Sequence, residues 1–170
     1  MANPKNLFLI GPMGAGKSAV GRQLGRLMHL NFVDSDEEIE ERTGVDIPFI
    51  FEKEGEEGFR TREVKVIDDL SQMQGIVLAT GGGAVLDAES RSRLGARGFV
   101  VYLYTTVQQQ LDRTKRGRNR PLLEGGDREK ILGELMTVRD PLYREIADLM
   151  VETDGRRVQA VARDIVDALG

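Results

Sequence analysis

Residues 11–18, with the sequence GPMGAGKS, match the pattern G-x-x-x-x-G-K-[ST], which is typical of a phosphate-binding loop. The apolar run Leu7–Ile10 precedes them, and apolar residues recur at helical spacing after them. The loop therefore joins the carboxyl end of a strand to the amino end of a helix, where backbone N–H groups and the helix dipole favour an anion. Lys17 would contact the β- and γ-phosphates of a nucleotide, and Ser18 would bind Mg²⁺.

Two carboxylates, Asp34 and Asp36, follow a second short apolar run, Phe32–Val33, which is typical of a strand. Ligands collect at the carboxyl ends of strands in open α/β sheets. One carboxylate would hold Mg²⁺ through water, and the other would accept a proton from a substrate hydroxyl. Because a helix is expected from about residue 37, the alternative is that Ser35 or Asp36, and less readily Asp34, caps that helix.

A third apolar run ends in three consecutive glycines, Gly81–Gly83, where many phosphate-loop enzymes carry an aspartate that supports Mg²⁺. Since no aspartate stands there, Asp34 is the favoured carboxylate on the metal side. The three glycines indicate that the backbone closely approaches a ligand, and the alternative is a turn that only ends the strand.

Two arginines interrupt the apolar faces of predicted helices. Arg60 lies one turn before Val64 and Ile67, and Arg139 lies one turn after Leu135. A guanidinium on a core-facing stripe needs an anionic partner. That partner is either a carboxylate of this chain, in a structural ion pair, or a small carboxylate or phosphate ligand held between the two arginines.

A basic, glycine-containing segment at residues 115–127 carries Arg116, Arg118 and Arg120 and has few apolar groups to anchor it. The functional interpretation is a lid that closes over phosphates and excludes water. The alternative is a solvated surface loop.

Short apolar runs alternate with amphipathic segments along the chain, so we expect βαβ units, a parallel sheet and helices on both of its faces. The expected strands are Leu7–Ile10, Phe32–Val33, Ile76–Ala79, Phe99–Leu103 and Leu149–Val151. The expected helices cover residues 20–28, 37–42, 56–73, 88–94, 107–114, 128–139 and 158–169, and a further one begins at 48–51. The helix at 128–139 is expected to end before Pro141.

The composition narrows the class of protein. A length of 170 residues favours one domain, 1–170, and a net charge of −4 argues against a nucleic-acid partner. The chain has no cysteine, which excludes disulfides and thiol catalysis, and its single histidine argues against a triad or a multi-histidine metal site. We see neither a signal peptide nor an apolar run of membrane-spanning length, so we expect no membrane partner.

Six segments resemble the shikimate kinase family in their order and spacing, nearly from end to end of the chain. They are residues 11–18, Asp34-Ser35-Asp36, Phe59-Arg60, Gly81–Gly83, Arg120-Pro121-Leu122-Leu123 and Arg139-Asp140-Pro141-Leu142-Tyr143. The resemblance implies a three-layer α/β fold of the nucleoside-monophosphate-kinase-like P-loop type, with a five-stranded parallel sheet in the order 2-3-1-4-5. It also implies transfer of the γ-phosphoryl group of ATP to the 3-hydroxyl of shikimate, with Mg²⁺, in a bacterial cytoplasmic enzyme of aromatic amino-acid biosynthesis. We expect a monomer.

The resemblance further implies roles for individual residues. The residues implied to cradle the phosphates are Gly14, Ala15, Gly16, Lys17, Ser18 and Ala19. Those implied to bind shikimate are Asp36, Arg60, Gly81, Gly82, Gly83 and Arg139. Asp36 is the leading candidate for the base, and Arg60 and Arg139 hold the substrate carboxylate. The substrate-binding region spans about 34–62.

The remaining implied roles concern the nucleotide and the metal. Ser18 binds Mg²⁺ and Asp34 supports it through water, while Arg113 and Arg156 lie beside the adenine. Arg120, in the lid at about 115–127, meets the transferring phosphoryl group and is expected to act in catalysis with Lys17 and Asp36. Ala19 departs from the threonine of many relatives, so nucleotide binding is expected to be weaker but not abolished.

Other functions remain open on the residues alone, because only the resemblance points to shikimate. A P-loop kinase for another polyol acid, such as gluconate, or for a nucleotide would use the arginine pair equally well. A GTPase switch would need an Asn-Lys-x-Asp motif, which the chain lacks. The acidic balance and small size argue against a nucleic-acid-stimulated motor.

Overall fold

The structure is a computed structural model that describes residues 6–114 and 127–170. Its five strands form one parallel sheet in the order β2-β3-β1-β4-β5, which confirms the expected fold class and strand order. The strands are β1 (Leu7–Ile10), β2 (Asn31–Asp34), β3 (Ile76–Ala79), β4 (Phe99–Tyr104) and β5 (Leu149–Glu152).

Helices cover both faces of the sheet, and a short 3₁₀ turn, Ala84–Leu86, follows the glycine run. The helices in the described residues are α1 (Lys17–Met28), α2 (Ser35–Thr43), α3 (Ile47–Ser71), α4 (Ala88–Arg97), α5 (Val107–Thr114), α6 (Arg128–Ile146) and α7 (Val158–Leu169). None of the helices in this described part of the chain combines the length and the apolar character that a membrane span requires.

The alternation of side chains along β1 divides the core into two halves. Phe8 and Ile10 pack on the face covered by α3 and α4, whereas Leu7 and Leu9 pack on the face covered by α1 and α7. All four side chains are fully buried, because β1 lies in the middle of the sheet with helices on each side. The strand that precedes the phosphate loop is thus held rigidly at the centre of the molecule.

The strand order brings the candidate segments to one edge. β3 pairs with both β1 and β2, with Leu9 beside Ala79 and Asp34 beside Ala79 in register. Since the strands are parallel, the phosphate loop, the Asp34 region and the glycine run all leave the same edge of the sheet.

One helix boundary differs from the expectation around Gly55. The expected helices at 48–51 and 56–73 are two helical runs that meet without a loop in α3, Ile47–Ser71. Gly55 joins them with φ 73° and ψ −178°, a conformation that glycine adopts readily and other residues rarely. A single glycine therefore makes the break between the two runs.

The expected end of α6 before Pro141 is wrong, because the helix continues to Ile146 with Pro141 in its interior. Proline removes one backbone donor and disfavours a helix interior, but tertiary packing offsets this. Tyr143 is fully buried in the core, and Leu142 and Ile146 pack against the same core cluster. The continuation places Tyr143 one turn after Arg139, on the same face.

Candidate functional site

A cavity of about 370 Å³ opens beyond the carboxyl ends of the central strands. Its walls come from the phosphate loop, the start of α2, the middle of α3, the glycine run and one arginine each from α5 and α6. Residues with predicted roles that line it are Gly14, Gly16, Lys17, Ser18, Ala19, Asp34, Asp36, Arg60, Gly81, Gly82, Gly83, Arg113 and Arg139.

The phosphate loop presents an open helix end to this cavity. Gly16 precedes α1 in a left-handed conformation, φ 88°, and no side chain caps the helix. The first N–H groups of α1 therefore lie at the positive end of the helix dipole, where an anion is favoured. Lys17 Nζ donates to the carbonyl oxygens of Gly11 at 2.6 Å and of Pro12 at 2.9 Å, so the ammonium group stays folded over the loop.

Ser18 and Asp34 are directly hydrogen-bonded. Ser18 Oγ donates to Asp34 Oδ2 at 2.6 Å, while Asp34 Oδ1 accepts from the backbone N–H groups of Asp36 and Glu37. The cap of α2 is therefore Asp34, and the alternative that favoured Ser35 or Asp36 is wrong. An extended backbone at Asp34, φ −125° and ψ 124°, lets one carboxylate serve the cap and the hydroxyl together.

These two oxygen-bearing side chains fit a magnesium site of the kind that phosphate-loop enzymes use. Mg²⁺ keeps several waters and takes one or two protein oxygens together with nucleotide phosphates. Within the described ranges, no group of three or more carboxylate, histidine or cysteine side chains could hold a metal.

Arg113 lies beside the phosphate loop at one end of the cavity. Its Nη1 donates to the carbonyl oxygen of Gly14 at 2.9 Å and its Nη2 to that of Thr153 at 3.4 Å. Arg156, in contrast, does not line the cavity and pairs with Asp164 on α7 at 2.7 Å. The predicted place of both arginines beside an adenine stays a prediction.

Ala15, in the phosphate loop, packs its side chain into the core, so only its backbone is available to a ligand of the loop.

The glycine run lies against charged side chains. A Cβ added to Gly81 would lie 2.8 Å from Asp36 Oδ1 and 2.8 Å from Glu63 Oε2, and one added to Gly83 would lie 2.5 Å from the Arg60 guanidinium. Side chains at these positions would push the carboxylates and the guanidinium aside. The backbone N–H of Gly81 donates to Ser35 Oγ at 3.1 Å, which fixes the start of the run. The groups that the glycine run closely approaches are side chains of this protein, and a close approach to a ligand stays a prediction.

Asp36 stands in the first turn of α2 and lines the cavity beside Gly81. Asp34 and Asp36 thus lie at the same edge of the sheet, but their environments differ. Asp34 is bound to Ser18 and to the helix end, whereas Asp36 faces the glycine run and the α3 wall. The position of Asp36 suits a base that acts on a substrate hydroxyl.

Arg60 is held by two carboxylates of its own helix. Its Nη1 lies 2.8 Å from Glu63 Oε1 and its Nη2 lies 3.3 Å from Glu56 Oε2. Burial acts to lower the pKa of Arg60, but the charges and hydrogen bonds of Glu63 and Glu56 outweigh it and raise the pKa. The ion-pair alternative is thus present for Arg60, which also lines the cavity.

Arg139 is in a different environment. Its side chain is buried, with a relative exposure of 4%, and its Nε has no hydrogen-bond partner among the described residues. Burial lowers the pKa of Arg139, and the nearby positive charge of Arg60 acts in the same direction. A buried guanidinium without an ion pair in the described part of the chain is the arrangement expected of a site for an external anion.

Glu63 is a charged residue of the cavity wall that the sequence analysis missed. Its side chain is buried, and burial raises the pKa of Glu63 more than the charge of Arg60 lowers it. The buried stripe of α3 runs through Phe59, Glu63, Val66, Ile67 and Leu70, whereas Val64 is only half-buried. The signal that could have found Glu63 is a carboxylate at a position where the helical period of α3 places a core residue.

An apolar part of the wall was given no role in the sequence analysis, because single apolar residues carry no chemical signal. It consists of Ile47, Phe51 and Phe59, with Phe51 and Phe59 in ring contact at 4.9 Å between centroids.

Arg120 and residues 115–126 of the predicted lid lie outside the described residues, and Asp127 caps α6.

Comparison with known proteins gives one consistent result. A profile described as shikimate kinase matches residues 13–170. A shikimate kinase of Shewanella sp. (strain ANA-3) is 55% identical over 170 residues, covering 100% of this chain and 99% of the relative.

Solved structures agree with that match. A shikimate kinase from Acinetobacter baumannii in complex with shikimate superimposes with a TM-score of 0.95 at 52% identity, covering 97% of this chain and 92% of that one. A shikimate kinase from Aquifex aeolicus superimposes with a TM-score of 0.84 at 36% identity, covering 96% and 95% of the two chains.

Proposed function

The chain belongs to the shikimate kinase family, and on that basis we propose that it transfers the γ-phosphoryl group of ATP to the 3-hydroxyl of shikimate. The products would be shikimate 3-phosphate and ADP. The family consists of ATP-dependent kinases, transferases with an alcohol acceptor, and acts in aromatic amino-acid biosynthesis. As part of the proposal the enzyme works in the cytoplasm as a monomer, without nucleic-acid or membrane partners.

One observation carries the proposal from the structure itself. The buried Arg139 lines the same cavity as the phosphate loop and lies beside Gly82 of the glycine run, whereas the loop presents a separate anion site at the uncapped start of α1. Two anion sites in one cavity suit a reaction between a nucleotide and a second anionic substrate. A carboxylate on a small polyol acid meets this requirement.

On the nucleotide side, the backbone of residues 14–19 would cradle the phosphates at the amino end of α1. Lys17 would leave the Gly11 and Pro12 carbonyls to stabilise charge on the β- and γ-phosphate oxygens. Ser18 and Asp34 would hold Mg²⁺, which supplies charge neutralisation of the phosphates when bound. Arg113 and Arg156 would flank the adenine.

On the acceptor side, Arg60 and Arg139 would bind the shikimate carboxylate, with a backbone N–H of Gly82 as a further donor. Gly81 and Gly83 leave room for the charged groups that form this wall. Asp36 would bind the substrate hydroxyls and accept the proton of the attacking hydroxyl. In this proposal the substrate-binding region covers about 34–62. Arg120 would contact the transferring phosphoryl group.

The test is a coupled assay of ADP release. Purified protein with ATP and Mg²⁺ is assayed alone and with shikimate, gluconate or a nucleoside monophosphate, and GTP replaces ATP in a parallel series. We expect turnover with shikimate and ATP well above that of every other combination. Faster turnover with gluconate or a nucleotide would replace the proposed acceptor, and ADP release without any acceptor would indicate an ATPase.

A further inference from the structure

Tyr143 links the glycine run to α6. It lies one turn after Arg139, is fully buried, and packs its ring on Tyr102 with the centroids 4.8 Å apart. Its phenol Oη donates to the carbonyl oxygen of Gly82 at 2.5 Å, across 61 positions of the sequence. The phenol thus ties the run that leaves β3 to the helix that carries Arg139.

The same phenol interacts with Arg139. Burial raises the pKa of Tyr143, whereas the charge of Arg139 and a hydrogen bond from its side chain act in the opposite direction. A tyrosine phenol is neutral at physiological pH, so it can donate its proton to the Gly82 carbonyl and still offer a lone pair to the neighbouring Arg139 guanidinium. A Cβ at Gly82 would lie 3.4 Å from Arg139 Nη1, so the two groups that Tyr143 contacts are also neighbours.

We propose that Tyr143 is a positioning residue: it holds Arg139 and the backbone of Gly82 in the relative positions that bind the substrate carboxylate. The identity of that substrate rests on the proposed function. A glycine run has no side chains of its own to hold it, and an arginine side chain loses much rotamer freedom when it is fixed. A single phenol that holds both groups before substrate arrives lowers the ordering cost of binding.

Tyr102 provides a matched control. It is also fully buried, and its phenol donates to Asp140 Oδ1 at 2.7 Å, so it too bonds α6 next to Arg139. Its hydroxyl makes its contacts with Asp140 and the Met136 sulfur, and Tyr102 does not line the cavity. Tyr102→Phe therefore removes a comparable buried hydrogen bond from the same helix without releasing Gly82 or Arg139.

The kinetic test compares the two variants under saturating co-substrate. For Tyr143→Phe we expect the KM for shikimate to rise about 5- to 10-fold, the loss of one buried hydrogen bond, with the KM for ATP within about twofold of the unchanged protein. For Tyr102→Phe we expect both KM values to stay within about twofold of those of the unchanged protein, even if its Tm falls as far as that of Tyr143→Phe. An unchanged shikimate KM in folded Tyr143→Phe, or an equal rise in both variants, would overturn the proposal.

A substrate analogue narrows the effect to the carboxylate. With a shikimate derivative whose carboxylate is reduced to a primary alcohol, the difference in KM between Tyr143→Phe and the unchanged protein should shrink to less than about twofold. A penalty of the same size for this analogue would mean that Tyr143 acts elsewhere in the cavity, and the assignment to the carboxylate would be wrong.

Amide hydrogen exchange without any substrate tests the positioning separately from the proposed function. In Tyr143→Phe we expect exchange at Gly81–Gly83 to accelerate at least about fivefold, whereas Tyr102→Phe leaves it within about twofold. Unchanged exchange at the glycine run in Tyr143→Phe would overturn the positioning role whatever the substrate. Faster exchange in a protein that does not phosphorylate shikimate would uphold the positioning and reject only the proposed substrate.

Discussion

Glu63 Oε1 and Arg60 Nη1 lie 2.8 Å apart on one face of α3, with Glu63 almost wholly buried and Arg60 at the cavity wall. The carboxylate directs the guanidinium into the cavity while its second oxygen, Oε2, has no hydrogen-bond partner among the described residues. Burying a carboxylate with one satisfied oxygen costs free energy of folding, because burial penalises the charged form. The site is thus assembled at some expense of stability.

The raised pKa of Glu63 predicts a pH-dependent stability. Above its ordinary pKa of 4.5, the folded protein still binds a proton at Glu63 that the unfolded chain has lost. The stabilising effect of this proton is fully present below 4.5 and is lost as the pH rises through the folded pKa. The free energy of unfolding of the unchanged protein, relative to Glu63→Gln, should therefore fall as the pH rises from 4.5 and then level off.

Urea unfolding between pH 4.5 and 8 measures this difference. Glu57→Gln, at an exposed position of the same helix, is the control for the loss of a surface carboxylate. A difference between the unchanged protein and Glu63→Gln that is flat or grows with pH would contradict the raised pKa.

Replacing Lys17 by alanine should abolish phosphoryl transfer or nearly so, because the β- and γ-phosphate oxygens lose their charge partner. Circular dichroism should show an intact fold. Lys65→Ala removes an exposed lysine that pairs with Asp69 and should leave turnover near that of the unchanged protein. Ordinary turnover in a folded Lys17→Ala protein would reject the phosphate-loop assignment.

Asp36→Asn should lower kcat by about 10²- to 10⁴-fold, since the amide keeps the shape of the side chain but cannot take the proton of the attacking hydroxyl. The affinity for ATP, measured by titration calorimetry, should change much less. Glu41→Gln, on the exposed face of the same helix, serves as the control. If kcat barely changes in Asp36→Asn, another group is the base.

Arg139→Ala should weaken shikimate binding by about one to two decades, from the loss of a charge-assisted contact of roughly 1.5–3 kcal/mol. ATP affinity should be affected less. Arg60→Ala should act in the same direction and, in addition, lower the Tm, because it leaves Glu63 buried without its partner. Calorimetric titration of each variant with shikimate and with ATP measures both affinities. A loss of affinity confined to ATP would place these arginines at the nucleotide.

Much of the fold could be predicted from local patterns. The phosphate loop is recognisable because its glycines, lysine and serine must stand at fixed spacing, and the parallel sheet follows from strands that alternate with helices. The strand order came only from the resemblance to a family, since no local pattern states which strands are neighbours. The end of α6 was misjudged because the local preference against Pro141 is weaker than the packing of Tyr143 and its neighbours in the core.

By itself, the sequence determined the chemistry available to the site: the nucleotide-binding loop, the carboxylates after β2, the glycine run and the two arginines. Only the tertiary structure decided how these groups divide their tasks. Asp34 rather than its neighbours caps α2, Glu63 is paired with Arg60, and Arg139 is buried without an ion pair to any residue that the structure describes. The cap and the Arg60–Glu63 pair join residues that are close in the chain, so several local partners were possible on sequence alone. The burial of Glu63 and Arg139 and the bond between Tyr143 and Gly82 depend on contacts between residues far apart in the chain, which have no signature in local spacing.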